Sequence, residues 1–279
     1  ESWNQYIPPL LTLLDEGNTE IRARGLEILA TFLPKFGTKL LNQTGLGDVF
    51  EDAVMPTLLF LPNLTPIDES IRLQKPAYKA LYTLADTRYP QENGKTPDQK
   101  MKFYFKIMRH GILQAYAHSH EHPRIVEVLL NQIQTLVARM QIHAVKQLKD
   151  LIPIFSSVLT DPFGVSVPSL LLSATKALQI TILNCWPRIS EKTHRIEVIK
   201  AIALCWNTVN EKSNDNVDET EDRIKELDEV KNGLKLSGRL LVKAVEGRFD
   251  IKAELQPLLR ADPTLVSVFE VEIRPENSE

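Results

Sequence analysis

The chain has 279 residues, 43% of them hydrophobic and 25% charged, with a formal net charge of -3. That is enough apolar material for a sizeable core, in one elongated or two compact domains, and no chain-wide excess of Lys and Arg exists to neutralise a phosphate backbone, so nucleic acid is not expected as a direct partner. No apolar run approaches the roughly 20 residues that cross a bilayer, and the opening residues ESWNQYIPPLL have neither the basic flank nor the apolar stretch of a signal peptide, so no membrane partner is expected either. The chain opens on Glu1, and native residues are expected to precede it.

Glycine is scarce, and the apolar residues recur at three and four rather than at two, which is the spacing of amphipathic helices. Between Arg22 and Leu33, for example, Leu26, Leu29, Phe32 and Leu33 share a stripe that Arg22, Arg24, Glu27 and Thr31 leave free, and PKFG (34–37) is expected to end the helix. A second stripe joins Ile125, Leu129, Ile133, Leu136, Val137 and Met140. A third joins Ile196, Ile199, Ile202, Ala203, Trp206 and Val209.

These helices come in pairs. Residues 6–37 read as an apolar helix, a polar turn and a second helix opened by Glu20-Ile21-Arg22; 54–86 repeat the plan with Glu69-Ser70-Ile71-Arg72, and 151–186 repeat it again. Pro8, Pro56 and Pro153 hold matching places, 48 and then 97 residues apart, so a unit is due between the last two, and 103–140 supply it. A fifth pair is 193–210 with 223–246. Helix pairs at this period, each carrying an arginine near the start of the second helix, resemble HEAT repeats. The expected fold is therefore all-α: a single α-solenoid domain over 1–279 of about five stacked antiparallel helix pairs plus a C-terminal helical segment. In the first turn Asp15, Glu16 and Asn18 are placed to serve Arg22. The polar stretch 210–222 (NEKSNDNVDETED) is expected to be a mobile insertion.

Candidate sites are few. His118, His120 and His122 alternate just before Pro123, but alternate residues share a face only in a strand, and His110, His143 and His194 offer no further ligand at a recognised spacing. An exposed turn between two helices is the expected reading, with Pro123 opening the second. Asp215, Asp218, Glu219, Glu221 and Asp222 lack the central glycine and the twelfth-position glutamate of a calcium loop. Cys185 and Cys205 each sit in an apolar helical pattern, as buried reduced thiols of the cytosol or nucleus do. No glycine-rich phosphate loop, G-x-S-x-G elbow or H-E-x-x-H helix occurs, so neither an enzyme nor a cofactor or metal is expected. NCWPRIS (184–190) differs in kind: a large aromatic at a helix end beside an arginine is the residue chemistry of binding hot spots. Trp186 either faces a partner in this way or plugs the core between units, as Trp206 is expected to, with Arg188 bonding terminal carbonyls.

RMQIHAVKQLKDLIPIFSSVL (139–159), NCWPRIS (184–190) and GRLLVKAVEGRFDIKAELQPLLRADP (238–263) together resemble the C-terminal HEAT-repeat part of the Tel-two-interacting protein two family, the small subunit of the Triple T co-chaperone complex. The resemblance implies a non-catalytic scaffold subunit, present in cytoplasm and nucleus. It would bind the large helical-repeat subunit of that complex alongside the Tel-two subunit, and assist maturation of phosphatidylinositol-3-kinase-related kinases with the heat-shock-ninety system. Its motif marks Trp186, Pro187, Arg188 and Ile189 as partner-binding positions, with 238–263 beside them. The alternatives are a transport or vesicle adaptor on the same repeats, and a metal-dependent enzyme centred on His118, His120 and His122.

Overall fold

The computed structural model describes residues 3–91, 96–214 and 220–274, and among them there are helices and turns but no strand. The chain divides into two compact units, Glu1–Leu136 and Val137–Glu279. Each is built from antiparallel helix pairs.

In the first unit, α1 (Trp3–Asp15) and α2 (Thr19–Gln43) form the first pair. Asn18 caps α2 by accepting from the backbone N–H groups of Glu20 and Ile21 at 2.9 and 3.2 Å, which satisfies two of the four donors a helix start leaves open. Trp3 meets Phe36, Tyr6 meets Phe32 and Leu13 lies against Gly25, so the two helices run in opposite directions. At Gly25 a Cβ would come within 2.9 Å of the Leu13 Cβ, and glycine lets the helices touch there. Arg22 donates through Nε to the Glu16 carbonyl at 2.9 Å, approaches the Asp15 carboxylate at 4.0 Å and covers the Phe60 ring at 4.7 Å. Of the residues expected to serve Arg22, two do, and Asn18 is occupied as the cap.

The expected stop at PKFG is a kink. Gly37 adopts φ 73, ψ 160, a conformation closed to other residues, and α2 then resumes to Gln43. The resumed turn is held from outside: Thr38 donates to the carbonyl of Thr87 at 2.8 Å and Asn42 to that of Arg88 at 3.0 Å, satisfying the terminal carbonyls of α4 (Ile67–Arg88). Likewise α4 opens at Ile67 after Pro66, earlier than the Glu69–Arg72 stretch indicates.

The other half of the second pair is α3 (Leu46–Val54), prolonged by a 3₁₀ turn over Met55–Leu59. The third pair joins a single rod, α5 (Asp98–Lys106), a π-helical stretch Ile107–Leu113 and α6 (Gln114–Ser119), to α7 (Pro123–Met140). The second helices of successive pairs lie parallel, fastened by Thr19 to Glu69 (2.8 Å), Asp68 to Arg124 (2.7 Å) and Tyr82 to Gln132 (3.1 Å). A partly buried ionic cluster ties α3, α4 and α5: Arg88, 8% exposed, meets Asp48 at 2.8 Å and Glu51 at 3.4 Å, and Lys106 reaches Glu51 at 2.5 Å. The second stripe lies wholly in the core, from Ile125 to Met140.

The second unit continues with a 3₁₀ stretch (Gln141–Gln147), α8 (Leu148–Leu159) and α9 (Pro168–Ile189), then α10 (Lys192–Asn214) and α11 (Glu221–Val245). Short α12 (Ile251–Ala261) and α13 (Val266–Phe269) close it. Again the second helices run parallel, with Gln179 donating to the Gly233 carbonyl at 2.9 Å and to Ser237 at 3.3 Å. Of the stretch 210–222, residues 210–214 form the end of α10 and 221–222 the start of α11; Asp215, Asp218 and Glu219 lie outside the described residues. The third stripe is corrected at one place: Ile202, Ala203, Trp206 and Val209 are buried, whereas Ile196 is 41% exposed. Arg195, 3% exposed, fastens α12 onto α10 through Glu254, with Nε to Oε2 at 2.6 Å and Nη2 to Oε1 at 3.0 Å.

Candidate functional site

The histidines come first. His118 lies in the last turn of α6, His120 in the turn itself, and His122 just ahead of Pro123, whose helix it starts by accepting from Ile125 and Val126 through its carbonyl. One helix stops and another starts. Among the described residues no three His, Cys, Asp or Glu side chains converge as a metal would require. Both thiols are buried, and desolvation pushes Cys185 and Cys205 up to about 12, so they are protonated at neutral pH and are poor nucleophiles.

The end of α9 is different. Pro187 cannot donate to the preceding turn, and the backbone departs from helical geometry at Cys185 (φ -114, ψ 15), so the last turn of α9 is bent. The bend sends neighbouring side chains apart. Cys185 and Ile189 are fully buried in the second unit's core, while Trp186 is 43% exposed. Trp206 is the core tryptophan, 5% exposed, its indole N–H donating to Thr264 at 3.0 Å; Trp186 does not share that role. Pro187 is half-buried and Arg188 exposed, so three of the four motif residues reach the surface and Ile189 does not.

Arg188 pairs with Glu191 at 2.6 Å rather than bonding the helix end. Two other arginines do that. Arg195 donates to the Ser190 carbonyl, and Arg248, from the turn after α11, donates to the Pro187 carbonyl at 3.3 Å. The Arg248 guanidinium also lies 4.3 Å above the Trp186 ring, a cation–π contact that fixes the indole while leaving much of it open. Nothing local in the sequence marks Arg248. It stands 62 positions from Trp186, and only the parallel packing of α9 and α11 brings the two motif segments together.

Beside Trp186 runs an apolar groove of about 440 Å³ between α9 and α11. Ile182, Leu183, Leu240 and Ala244 line it, with Lys243 and Glu246 at the edge. Leu183 is 54% exposed, more than Trp186 itself. Its spacing three residues before Trp186 is the signal that sequence reasoning passes over, since the pair shares a helix face turned away from Cys185. The arrangement presents a rigid aromatic, an open apolar strip and cations, which are means of holding another polypeptide.

Residues 1–166 match the Tti2 family. No solved structure matches the chain. The matched segment takes in the whole first unit and the start of the second, and of the stretches on which the resemblance rests it covers 139–159, leaving 184–190 and 238–263 beyond it. With well over half of its length matched, this all-α chain of paired helices belongs to the Tti2 family.

Proposed function

We propose that the chain is a non-catalytic subunit of the Triple T co-chaperone complex, which holds the large helical-repeat subunit with the face around Trp186, alongside the Tel-two subunit. The observation that carries this reading is the family match over residues 1–166. The exposed tryptophan, its arginine and the adjoining groove supply a surface of the right chemistry in the second unit. The mechanism is geometric. Helix pairs give a broad surface without any reacting group, so the subunit braces a long partner, and the assembled complex presents phosphatidylinositol-3-kinase-related kinases to the heat-shock-ninety system in cytosol and nucleus.

Affinity purification of the chain from cells, with identification of what co-elutes, tests this directly. The large subunit and the Tel-two subunit should be recovered together, and depletion of the chain should lower the steady-state amounts of the kinases. Recovery of coat or cargo components in their place would overturn the reading in favour of a transport adaptor.

A further inference from the structure

We infer that the α9–α11 groove takes an amphipathic helix of the partner, apolar on the face that enters and acidic along the flank nearest Lys243 and Arg248. The inference rests on complex membership as proposed above and adds the chemistry of the occupant.

Shape argues for a helix. The groove follows the seam between two parallel helices, and side-chain rows on such a seam accept the rows of another helix. An added strand would need a sheet edge, and the described residues contain none. The floor of Ile182, Leu183, Leu240 and Ala244 asks for bulky apolar side chains at helical spacing, and Trp186 closes one end as a preset aromatic.

Charge decides what flanks those side chains. Lys243 and Arg248 are exposed, and among the described residues neither has a carboxylate partner; Arg248 spends one N–H on the Pro187 carbonyl. The neighbouring Arg188 and Glu191 satisfy each other. Glu246 is the remaining anion at the edge, so the rim is cationic on a chain whose net charge is -3. An acidic flank meets that rim and a basic one is repelled.

Two of the chain's own segments do not fit. The stretch 215–219 adjoins the opposite end of α11, roughly 28 Å from Leu240 at 1.5 Å per helical residue, and five residues reach only about 18 Å. Residues 275–279, PENSE, contain no bulky apolar side chain, and the segment before them is already held on α12, where Gln256 bonds Glu272 and Arg274 at 3.0 and 2.7 Å.

The test uses the full chain co-expressed with the large Triple T subunit, with affinity measured at low and high salt. Trp186→Ala should weaken binding about thirtyfold, the effect of losing a hot spot. Lys243→Glu, on the open surface, should weaken it about tenfold at low salt and much less at high salt. Photo-crosslinking from position 183 should land on a helix of the large subunit, and an acid-to-lysine change there should rescue Lys243→Glu. Failure of the unaltered chain to bind the large subunit overturns complex membership. Normal binding by both variants overturns the groove alone. A weak Trp186→Ala with an unaffected or tighter Lys243→Glu overturns the acidic flank, and self-association of the chain that Trp186→Ala abolishes shows a second copy as the occupant instead.

Discussion

Replacing Arg195 by methionine should unfold the second unit's closing helices before the rest. The guanidinium is 3% exposed and makes two bonds to Glu254, one to the Ser190 carbonyl and a stack 3.9 Å over the Phe249 ring. Stranding one member of a buried pair costs about 3–5 kcal/mol, and because Glu254 keeps 21% of its side chain in water the lower end applies. The lost carbonyl bond and the ring contact add about 1 kcal/mol each at most, so the expected loss is about 3–5 kcal/mol. Pairing Arg195→Met with Glu254→Met should recover one or more of those kcal/mol, since no charge is then left without a partner. The assay is a urea titration followed by fluorescence in a Trp3→Phe background, where the two remaining tryptophans, Trp186 and Trp206, both report on the second unit. A double variant as unstable as the sum of the singles would refute the reasoning, as would a loss under about 1 kcal/mol for Arg195→Met.

Alkaline pH should destabilise the second unit. Burial raises both thiols to about 12, so between an unfolded value near 8.5 and that pH the unfolded chain has lost protons the folded one keeps; stability is intact below about pH 8.5 and falls by about 1.4 kcal/mol per pH unit per thiol above it, which Cys185→Ala and Cys205→Ala should each halve in titrations at pH 8 and 10. Gly238→Ala should cost about 1–3 kcal/mol despite alanine's better helix propensity, because its Cβ would sit 2.4 Å from the Val268 carbonyl oxygen, a backbone atom; a thermal midpoint at or above that of the unaltered protein contradicts the close approach. Asn18→Ala should cost the first unit about 1 kcal/mol by uncapping α2, and Asn18→Asp should not, as hydrogen exchange at Glu20 and Ile21 would register.

What the sequence discloses follows from how local each cause is. Apolar spacing is local, so the stripe from Ile125 to Met140 and the break after His118 read correctly. The continuation of α2 beyond Gly37 is not local: it is held by carbonyls of Thr87 and Arg88, about half a hundred residues away, and no window around PKFG contains them. Ile196 belongs to its stripe by spacing yet lies exposed, because it lines a second apolar groove between α10 and α12 that their packing leaves uncovered. At the candidate site the residue types left two roles open, and the choice between core and surface for Trp186 turns on the bend at Cys185 and on Arg248, neither visible in a hydrophobic pattern.

The polar fasteners between parallel helices share one property: the residues they join lie 46 to 61 positions apart, from Asn42 with Arg88 to Pro187 with Arg248. In each unit a newly made helix therefore meets its docking neighbour soon after leaving the ribosome, and never waits for the far end of the chain. Assembly can keep pace with synthesis, each hairpin templating the next.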